Sequence, residues 1–385
     1  MSGTTRRDFV MGVAVLGTAG LGFGSDAAGR LTSITTDGQS TKPRNIIKLM
    51  VCDLNFVRLD KPFRTDQPSA PHDWAFVDPK EYFQWHRDFG NNAISCDAYT
   101  FCGYAFYPTK LGPVAPGPGQ ELLPRLYELT RTAGMPFWSY FSVSWDLIMS
   151  TMRGTDDLWV IPNSRNREWL WGNLAPESPW TDLFCARVEE FLKQFPVDVI
   201  LFDMFDYGSP HSNDFPVQPA WFAEKPFAEI IGHRMPLTAA EITPAESLAY
   251  KREILARQFY RIRDVVRKVS PNTKICFNVP YWTPTEELWV DHPMLNESDI
   301  LYAESSDDVV DWLLKVRKPH QRVMTTIIGR VDPGKSIPSS WRKWNERGCD
   351  FYGYAWGTPP DFRPHPSYAA DLELIHHAFR EISHE

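Results

Sequence analysis

The feature that most constrains the fold of this chain is a short apolar run that recurs eight times between residues 45 and 357. Each run is rich in β-branched or aromatic residues and is bounded by Gly, Pro, Asn or Asp, which is typical of a β-strand. The runs cover residues 45–56, 92–101, 136–146, 197–203, 274–282, 299–305, 322–332 and 349–357.

Helical patterns separate most of these runs. The 180–195 segment spaces its apolar residues as an amphipathic helix does. The other predicted helices cover residues 79–89, 121–133, 246–269, 308–316, 339–347 and 367–382, and the 283–297 segment is predicted to be an irregular connector.

Alternating strands and helices form right-handed βαβ units and a parallel sheet. Eight such units usually close as a barrel, so we predict an α/β protein with a single-domain (β/α)8 TIM barrel over residues 45–385. The alternative is an open doubly wound sheet, which would need a glycine-rich phosphate loop after an early strand. The sequence contains neither G-x-G-x-x-G nor a P-loop.

The N-terminus predicts export. Arg6 and Arg7 precede Phe9 and a weakly apolar run over residues 10–24, a layout that resembles a bacterial twin-arginine signal peptide. That run is too short for a spanning helix of about 20 residues, so we expect no stable membrane insertion after export. We assign residues 1–30 to the signal and 31–44 to a linker, and expect a periplasmic or secreted protein. An ordinary basic tail is the alternative.

The charge of the chain and its lack of certain motifs argue against several classes of partner and of catalytic site. The net charge is −8 and no basic block follows the first residues, which argues against a nucleic-acid partner. The histidines form neither H-x-H nor H-E-x-x-H, and we expect no metal and no cofactor. No G-x-S-x-G is present, which argues against an esterase of the α/β-hydrolase type.

Polar and aromatic residues gather at the ends of the predicted strands, where a barrel carries its chemistry. The segments after strands 1, 3 and 4 are long, as functional loops often are. The candidate substrate-binding residues in these places are Asp53, Asp97, Tyr99, Trp145, Asp206, Asn278, Arg330 and Trp356. Several have a structural alternative: Asp53 and Asp97 can pair with arginines, Asp206 can orient the following loop, and the aromatic residues can pack in the core.

Two runs share one pattern, in which an Asp is followed by four mostly apolar residues and then a carboxylate. They are DVILFD at 198–203 and DILYAE at 299–304. The match places Asp203 and Glu304 at equivalent heights on strands 4 and 6, with roughly 9–10 Å between their Cα atoms and with converging side chains. Two such carboxylates can cleave a glycosidic bond. Carboxyl groups about 5–5.5 Å apart retain the anomeric configuration and groups about 6.5–9.5 Å apart invert it, so both outcomes stay open.

The two carboxylates are expected to divide the chemistry. Asp203, near donors such as Arg330, would stay ionised as nucleophile or base, and Glu304 would be the general acid. Asp307 and Asp308 are alternatives for the acid.

The chain resembles the glycoside hydrolases of the α-L-fucosidase and α-galactosidase type, including related uncharacterised barrels. The resemblance lies in residues 91–113, 134–146 and 197–208. It implies a carbohydrate substrate, with Asp203 as nucleophile and Glu304 as acid. The fucosidases' N-terminal His-Trp-Gly stretch has no counterpart here, so the sugar is not predicted. A non-catalytic carbohydrate-binding barrel is the alternative function.

Overall fold

A computed structural model describes residues 45–54, 74–152, 159–162, 164, 172–207, 216–279, 288–304, 307–328, 341–358, 361–364 and 366–382. The described residues all belong to one compact unit, Arg44–Glu385. The predicted signal peptide and linker therefore lie outside the described residues.

Eight parallel strands form a nearly closed barrel, which confirms the predicted fold. Their spatial order is β1-β8-β7-β6-β5-β4-β3-β2, and every neighbouring pair in this order is parallel. A ninth strand, β9 (Asp361–Pro364), pairs antiparallel with the end of β8. The barrel strands are β1 Lys48–Asp53, β2 Ile94–Tyr99, β3 Phe137–Ser142, β4 Val199–Asp203, β5 Lys274–Val279, β6 Ile300–Ala303, β7 Arg322–Ile328 and β8 Asp350–Thr358.

Helices connect the strands, and none of the described ones is long and apolar enough to cross a membrane. They are α1 Pro79–Phe89, α2 Leu122–Ala133, α3 Leu147–Met152, α4 Trp180–Gln194, α5 Trp221–Ile231, α6 Pro244–Val269, α7 Pro293–Glu297, α8 Asp307–Val316, α9 Trp341–Glu346 and α10 Ala369–Glu381. The sequence predicts all of these except α3, α5 and α7. Helices α3 and α7 are too short to show a period, and α5 contains Pro226 in its interior.

The helix ends follow from local chemistry. The Asp78 carboxylate caps α1 by accepting from the backbone N–H groups of Lys80 and Glu81, and Gly90 ends the helix at a φ of 102°. Helix α6 begins with a capping box, in which Thr243 and Glu246 satisfy each other's backbone N–H groups. These caps fix where the connecting loops leave the helices.

Each strand buries both of its faces. One face points into the barrel, and the other packs against the surrounding helices. Residues inside the barrel include Val51, Leu201, Cys276, Tyr302 and Tyr352, whereas the alternate residues pack against the helices. Side chains on a strand alternate between faces, so the next inward position on each strand is two residues further on. These positions are Asp53, Asp203, Asn278, Glu304 and Tyr354, at the C-terminal mouth of the barrel.

The strands β1 and β2 are the two ends of the hydrogen-bonded order, and asparagine side chains occupy the seam between them. Asn91 Nδ2 donates to the Met50 carbonyl oxygen (2.7 Å), and its Oδ1 accepts from the Met50 N–H (3.1 Å). Asn92 repeats this pattern with the Ile46 carbonyl oxygen (2.7 Å) and the Lys48 N–H (2.8 Å). These two amides supply β1 with the backbone partners that a neighbouring strand would otherwise provide.

Candidate active site

One amide joins the two carboxylates that the sequence singles out. Asn278 Nδ2 donates to Asp203 Oδ1 at 2.7 Å and to Glu304 Oε2 at 2.7 Å. An amide nitrogen has two hydrogens, so each carboxylate receives one of them. The amide can span the pair because β5, which carries Asn278, lies between β4 and β6. The structure thus brings Asp203 and Glu304 together, as their matching positions in the sequence predict.

This bridge limits the spacing of the carboxylates. Two contacts of 2.7 Å to the same nitrogen hold Asp203 Oδ1 and Glu304 Oε2 no further apart than twice 2.7 Å. Glycoside hydrolases with carboxyl groups about 5–5.5 Å apart retain configuration, and those that invert need about 6.5–9.5 Å to admit a water. The bridged geometry fits the first class.

Asp203 lies among donors. Its Oδ1 also accepts from the N–H of Met204 (2.7 Å), and its Oδ2 accepts from the Tyr140 hydroxyl (3.0 Å). Burial raises the pKa of Asp203 above its ordinary value, and the hydrogen bonds from Asn278, Met204 and Tyr140 offset only part of this rise. These donors favour the ionised carboxylate that a nucleophile requires.

In Glu304 a neighbouring negative charge adds to the effect of burial. Burial, and next the charge of Asp203, raise the pKa of Glu304 to about 8, although hydrogen bonds from Asn278 and Tyr354 oppose the rise. Glu304 therefore carries a proton at neutral pH. In this arrangement the protonated Glu304 can act as the acid, and Asp203, which receives hydrogen bonds, can act as the nucleophile.

Two more aspartates face the same mouth. Burial, followed by the charges of Asp53 and Asp203, raises the pKa of Asp97 well above its ordinary value. Asp97 is 6% exposed, and its Oδ2 is buried without a hydrogen-bond partner. The charge of Asp53 also acts on Glu304. The structure therefore groups Asp53 and Asp97 with the central pair, as the sequence predicts.

A strained turn follows Asp203. Met204 has a φ of 52°, in the left-handed region that is uncommon for residues other than glycine. The Met204 carbonyl oxygen accepts from the N–H of Ser144 (3.0 Å), and the Ser144 hydroxyl donates to the Asp206 carbonyl oxygen (3.0 Å). These contacts hold the turn in the conformation that directs the Met204 N–H at Asp203, and such strain is often found at functional sites.

Asp206 has a buried partner. It is 3% exposed, and its Oδ1 accepts from Asn173 Nδ2. Burial and the charge of Asp203 raise the pKa of Asp206 well above its ordinary value. The structure thus gives Asp206 a contact with the segment after β3, and not with the loop that follows Asp206, which the sequence suggested it could orient.

Two of the three predicted aromatic residues, Tyr99 and Trp145, are not brought to the carboxylates. The Tyr99 hydroxyl donates to Thr109 Oγ1 (3.2 Å), and its ring lies under the Arg187 guanidinium at 4.3 Å. Trp145 is 2% exposed and packs edge-on against Phe101. Both belong to the layer between strands and helices. The reason is local: the register shifts between Asp97 and Tyr99, and Trp145 lies beyond the end of β3.

Other predicted residues do not join the site or cannot be placed. Arg330 and the side chain of Trp356 lie outside the described residues. Asp307 and Asp308, the alternatives for the acid, are exposed in the first turn of α8. No group of three His, Cys, Asp or Glu residues in the described part of the chain is arranged to hold a metal ion.

Sequence reasoning missed the tyrosines of the site, Tyr140 and Tyr352, and did not assign Tyr354 a role. The two-residue period of the strands could have indicated them, because residues two apart point to the same face. Tyr140 lies two residues before the end of β3, and Tyr352 precedes Tyr354 by two residues in β8.

Comparison with known proteins identifies the fold. No protein-family model matches the chain, and no curated protein sequence matches it. The α-L-fucosidase isoenzyme 2 from Paenibacillus thiaminolyticus is a structural match with a TM-score of 0.59 at 15% identity, covering 87% of this chain and 49% of the fucosidase. This chain therefore spans about half the length of that enzyme.

Two further α-L-fucosidases match less closely. That of Thermotoga maritima gives a TM-score of 0.43 at 15% identity, with 81% and 58% of the two chains covered. AlfC from Lactobacillus casei, solved with α-L-fucose product, gives a TM-score of 0.45 at 14% identity, with 81% and 82% covered. At these identities the likeness is one of fold, and we conclude that the chain shares the parallel eight-stranded barrel of the Paenibacillus enzyme.

Proposed function

We propose that this protein is a glycoside hydrolase that retains anomeric configuration, with Asp203 as nucleophile and Glu304 as general acid and base. The observation that carries the proposal is the Asn278 amide, which donates to both carboxylates and keeps them within the retaining distance. The fold shared with the Paenibacillus α-L-fucosidase supports it. Exo-acting hydrolysis of a terminal sugar is the first activity to test.

In the first step, Asp203 attacks the anomeric carbon while Glu304 gives its proton to the leaving oxygen. The glycosidic bond breaks, the aglycone leaves as a neutral alcohol, and a glycosyl ester of Asp203 remains. Asp203 is suited to attack because three donors support its ionised form. Glu304 is suited to donate because its pKa of about 8 keeps it protonated at neutral pH.

In the second step, the ionised Glu304 takes a proton from water, and the water oxygen attacks the anomeric carbon from the face that the aglycone left. The ester bond breaks and Asp203 is released as a carboxylate. Two inversions at one carbon give net retention. Asn278 contacts both groups at the start of the cycle, so it orients the attacking and the proton-bearing carboxyl groups together.

The test is sugar release from a panel of aryl α- and β-glycosides by wild type, Asp203→Asn, Glu304→Gln and Asp308→Asn. Asp308→Asn is the control, because it removes an exposed carboxylate of α8. We expect release by wild type and the control only. Folded wild-type protein that binds glycans without releasing sugar would support the carbohydrate-binding barrel instead.

We also propose export through the twin-arginine route, which rests on Arg6, Arg7 and the weakly apolar run after them. Cell fractionation of the full chain and of an Arg6→Lys, Arg7→Lys variant tests this proposal. Export of the wild type with retention of the variant in the cytoplasm is the expected result. Equal distribution of the two would contradict it.

A further inference from the structure

Helix α5 carries a tryptophan on its outer face. Trp221, the first residue of the helix, is 53% exposed, whereas core tryptophans such as Trp74 and Trp180 are at most 1% exposed. A tryptophan is buried in most proteins because its large ring is costly to leave in water. A single exposed apolar side chain is common on protein surfaces, but Trp221 lines a groove that also contains charged side chains.

The spacing of residues along α5 builds one side of this groove. Four of its lining residues are spaced i, i+3, i+4 and i+7, so they share one face of the helix. They are Trp221, Glu224, Lys225 and Ala228. Residues of the opposite face, such as Phe222 and Phe227, are buried. The helix is therefore fixed to the protein by one face and presents the tryptophan and the charged residues on the other.

The turn after α5 completes the groove. Gly232 ends the helix at a φ of 91°, and its N–H donates to the Ala228 carbonyl oxygen (3.0 Å). The chain then brings His233 and Arg234 to the groove. The enclosed volume is about 540 Å³, within the range of about 300–1,000 Å³ that is usual for small-molecule sites. Because the lining runs from Trp221 past the end of the helix, it extends over about 16 Å and suits an elongated ligand.

The charges of the groove are close to balanced. Glu224 and Arg234 line it with opposite signs. Two other lining residues have acidic neighbours: Lys225 Nζ lies 3.8 Å from Glu229 Oε1, and His233 Nε2 lies 2.8 Å from Glu246 Oε1. The groove therefore offers hydrogen-bond donors and acceptors together without a strong preference for one sign of charge.

From this arrangement we propose that the groove along α5 binds a neutral glycan chain, with one pyranose ring stacked on the Trp221 indole. Each hydroxyl group of a sugar both donates and accepts, so it can bond to Glu224 as a donor and to Lys225 or Arg234 as an acceptor. The apolar face of the sugar ring packs on the aromatic ring. The proposal does not depend on the proposed hydrolytic activity, because the groove is separate from Asp203 and Glu304.

The groove is connected to the mouth of the barrel through packed aromatic rings. On the buried face of α5, the Phe227 ring lies 5.5 Å from the ring of Tyr250, which lies 6.1 Å from the ring of Tyr207. Tyr207 follows Asp203 by four residues. A polysaccharide held on α5 would therefore keep its other sugars near the mouth, which raises their effective concentration there.

The experiment is affinity electrophoresis in native gels that contain dextran, mannan, galactomannan or xyloglucan, with dextran sulfate as the charged counterpart of dextran. The proteins are the full chain with and without Asp203→Asn, the second of which would leave the polymers uncleaved. Trp221→Ala removes the stacking ring, and Ala228→Leu fills the groove beside it. Phe76→Ala is the matched control, because Phe76 is also an exposed aromatic residue (73%) but does not line the groove.

We expect at least one neutral polymer to retard the wild type and Phe76→Ala equally. Its dissociation constant should rise at least about tenfold in Trp221→Ala and in Ala228→Leu, as for a buried aromatic anchor of an interface. Retardation of the wild type by none of the four neutral polymers, or equal retardation of Trp221→Ala, would overturn the proposal. Tighter binding of dextran sulfate than of every neutral polymer would also overturn it, since the ligand would then be anionic.

Light scattering during size-exclusion chromatography tests the other occupant of such a groove, a second copy of this chain. We expect the wild type and Trp221→Ala to have the same mass. A wild-type dimer that becomes a monomer in Trp221→Ala would assign the groove to self-association and overturn the proposal.

Aryl glycosides separate this inference from the proposed function. Trp221→Ala should hydrolyse them as the wild type does, because a small substrate does not reach the groove. Retardation that depends on Trp221, without hydrolysis by the wild type, would contradict the hydrolase and leave the groove supported. Hydrolysis of aryl glycosides, with no retardation by any neutral polymer, would do the reverse.

Discussion

At the scale of single residues, the Tyr140 hydroxyl is a donor that supports the ionised form of Asp203. Tyr140→Phe removes this donor, so we expect the pKa of Asp203 to rise and the acid limb of the kcat/KM profile to move to higher pH. The rate should fall about tenfold, which is the worth of one hydrogen bond to a charged group.

Tyr302→Phe is the matched control for that change. The Tyr302 hydroxyl also lies inside the barrel but bonds to Thr326 Oγ1 (2.8 Å) and not to Asp203. An unchanged acid limb in Tyr140→Phe, or an equal shift in Tyr302→Phe, would show that Tyr140 does not act through Asp203.

Glu304 should set the alkaline limit of activity. With a pKa of about 8, it loses its proton as the pH rises through 8, and kcat/KM should fall there. Glu304→Gln should remove this limb and slow the cleavage of unactivated glycosides by about 10²–10⁴-fold, the usual contribution of a general acid. Glycosides with an acidic leaving group should lose much less. Persistence of the limb in the variant would assign it to another group.

At the scale of elements, β5 matters because it places one amide between two strands that carry carboxylates. Asn278→Ala removes a donor from both Asp203 and Glu304, so the pKa of each should rise and both limbs of the pH–rate profile should move upward. We expect kcat to fall about 10–100-fold with a smaller change in KM, because loss of orientation affects the chemical step.

Asn296→Ala is the control for the loss of an asparagine. This residue lies on α7, and its Nδ2 donates to the Asp291 carbonyl oxygen on the surface. If the acid and alkaline limbs of the pH–rate profile moved in opposite directions in Asn278→Ala, or if kcat did not change, Asn278 would not orient both carboxyl groups.

The seam between β1 and β2 should be sensitive to its asparagines. Asn91→Ala leaves the N–H and the carbonyl oxygen of Met50 without these partners, and Met50 is fully buried. Two unsatisfied groups at about 1–3 kcal/mol each predict that the free energy of unfolding falls by about 2–6 kcal/mol. Urea unfolding measures this, again with Asn296→Ala beside it. A loss below about 0.5 kcal/mol would mean that β1 and β2 are held by other contacts.

The sequence predicts elements with a strong local period and misses those without one. The apolar runs locate the eight strands because strands buried on both faces are continuously apolar. The seam was not predictable, because nothing in the residues before β2 distinguishes a pair of asparagines that bond to β1 from an ordinary turn. Helix α5 was also missed, because Pro226 lies in its interior and a proline at such a position usually indicates a loop.

At the scale of the whole molecule, the buried carboxyl groups should make stability depend on pH. In the unfolded chain Glu304 loses its proton near pH 4.3, whereas in the folded protein it does so at about 8. Between these values the folded state binds more protons, so the free energy of unfolding falls as the pH rises. Asp97 and Asp206 have pKa values raised in the same direction and add to the slope.

Thermal unfolding from pH 5 to 8.5 measures this dependence. We expect Tm to fall across the range in wild type and to fall less in Glu304→Gln, while the exposed Asp308→Asn control keeps the wild-type slope. A Tm that rises with pH, or the same slope in Glu304→Gln as in wild type, would contradict the raised pKa of Glu304.

The candidate site could be predicted in part. Asp203 and Glu304 are found from two similar runs, because equal positions on strands of one barrel lie at equal heights. The strand period could have placed Tyr140 inside the barrel, but its contact with Asp203 spans two strands and depends on their register, so this role was not predictable. Tyr99 and Trp145 were placed in the site because the sequence does not show the register shift in β2 or where β3 ends.

The identity of the carboxylate that becomes bonded to the sugar distinguishes Asp203 as nucleophile from the other carboxyl groups of the mouth. Wild-type protein would be incubated with 2-deoxy-2-fluoroglycosyl fluorides of the sugars that it releases, then digested and analysed by mass spectrometry. We expect one glycosyl adduct, on the peptide that contains Asp203, and no adduct in Asp203→Asn. An adduct on Asp53, Asp97 or Glu304, or turnover that inverts configuration without any adduct, would contradict this role of Asp203.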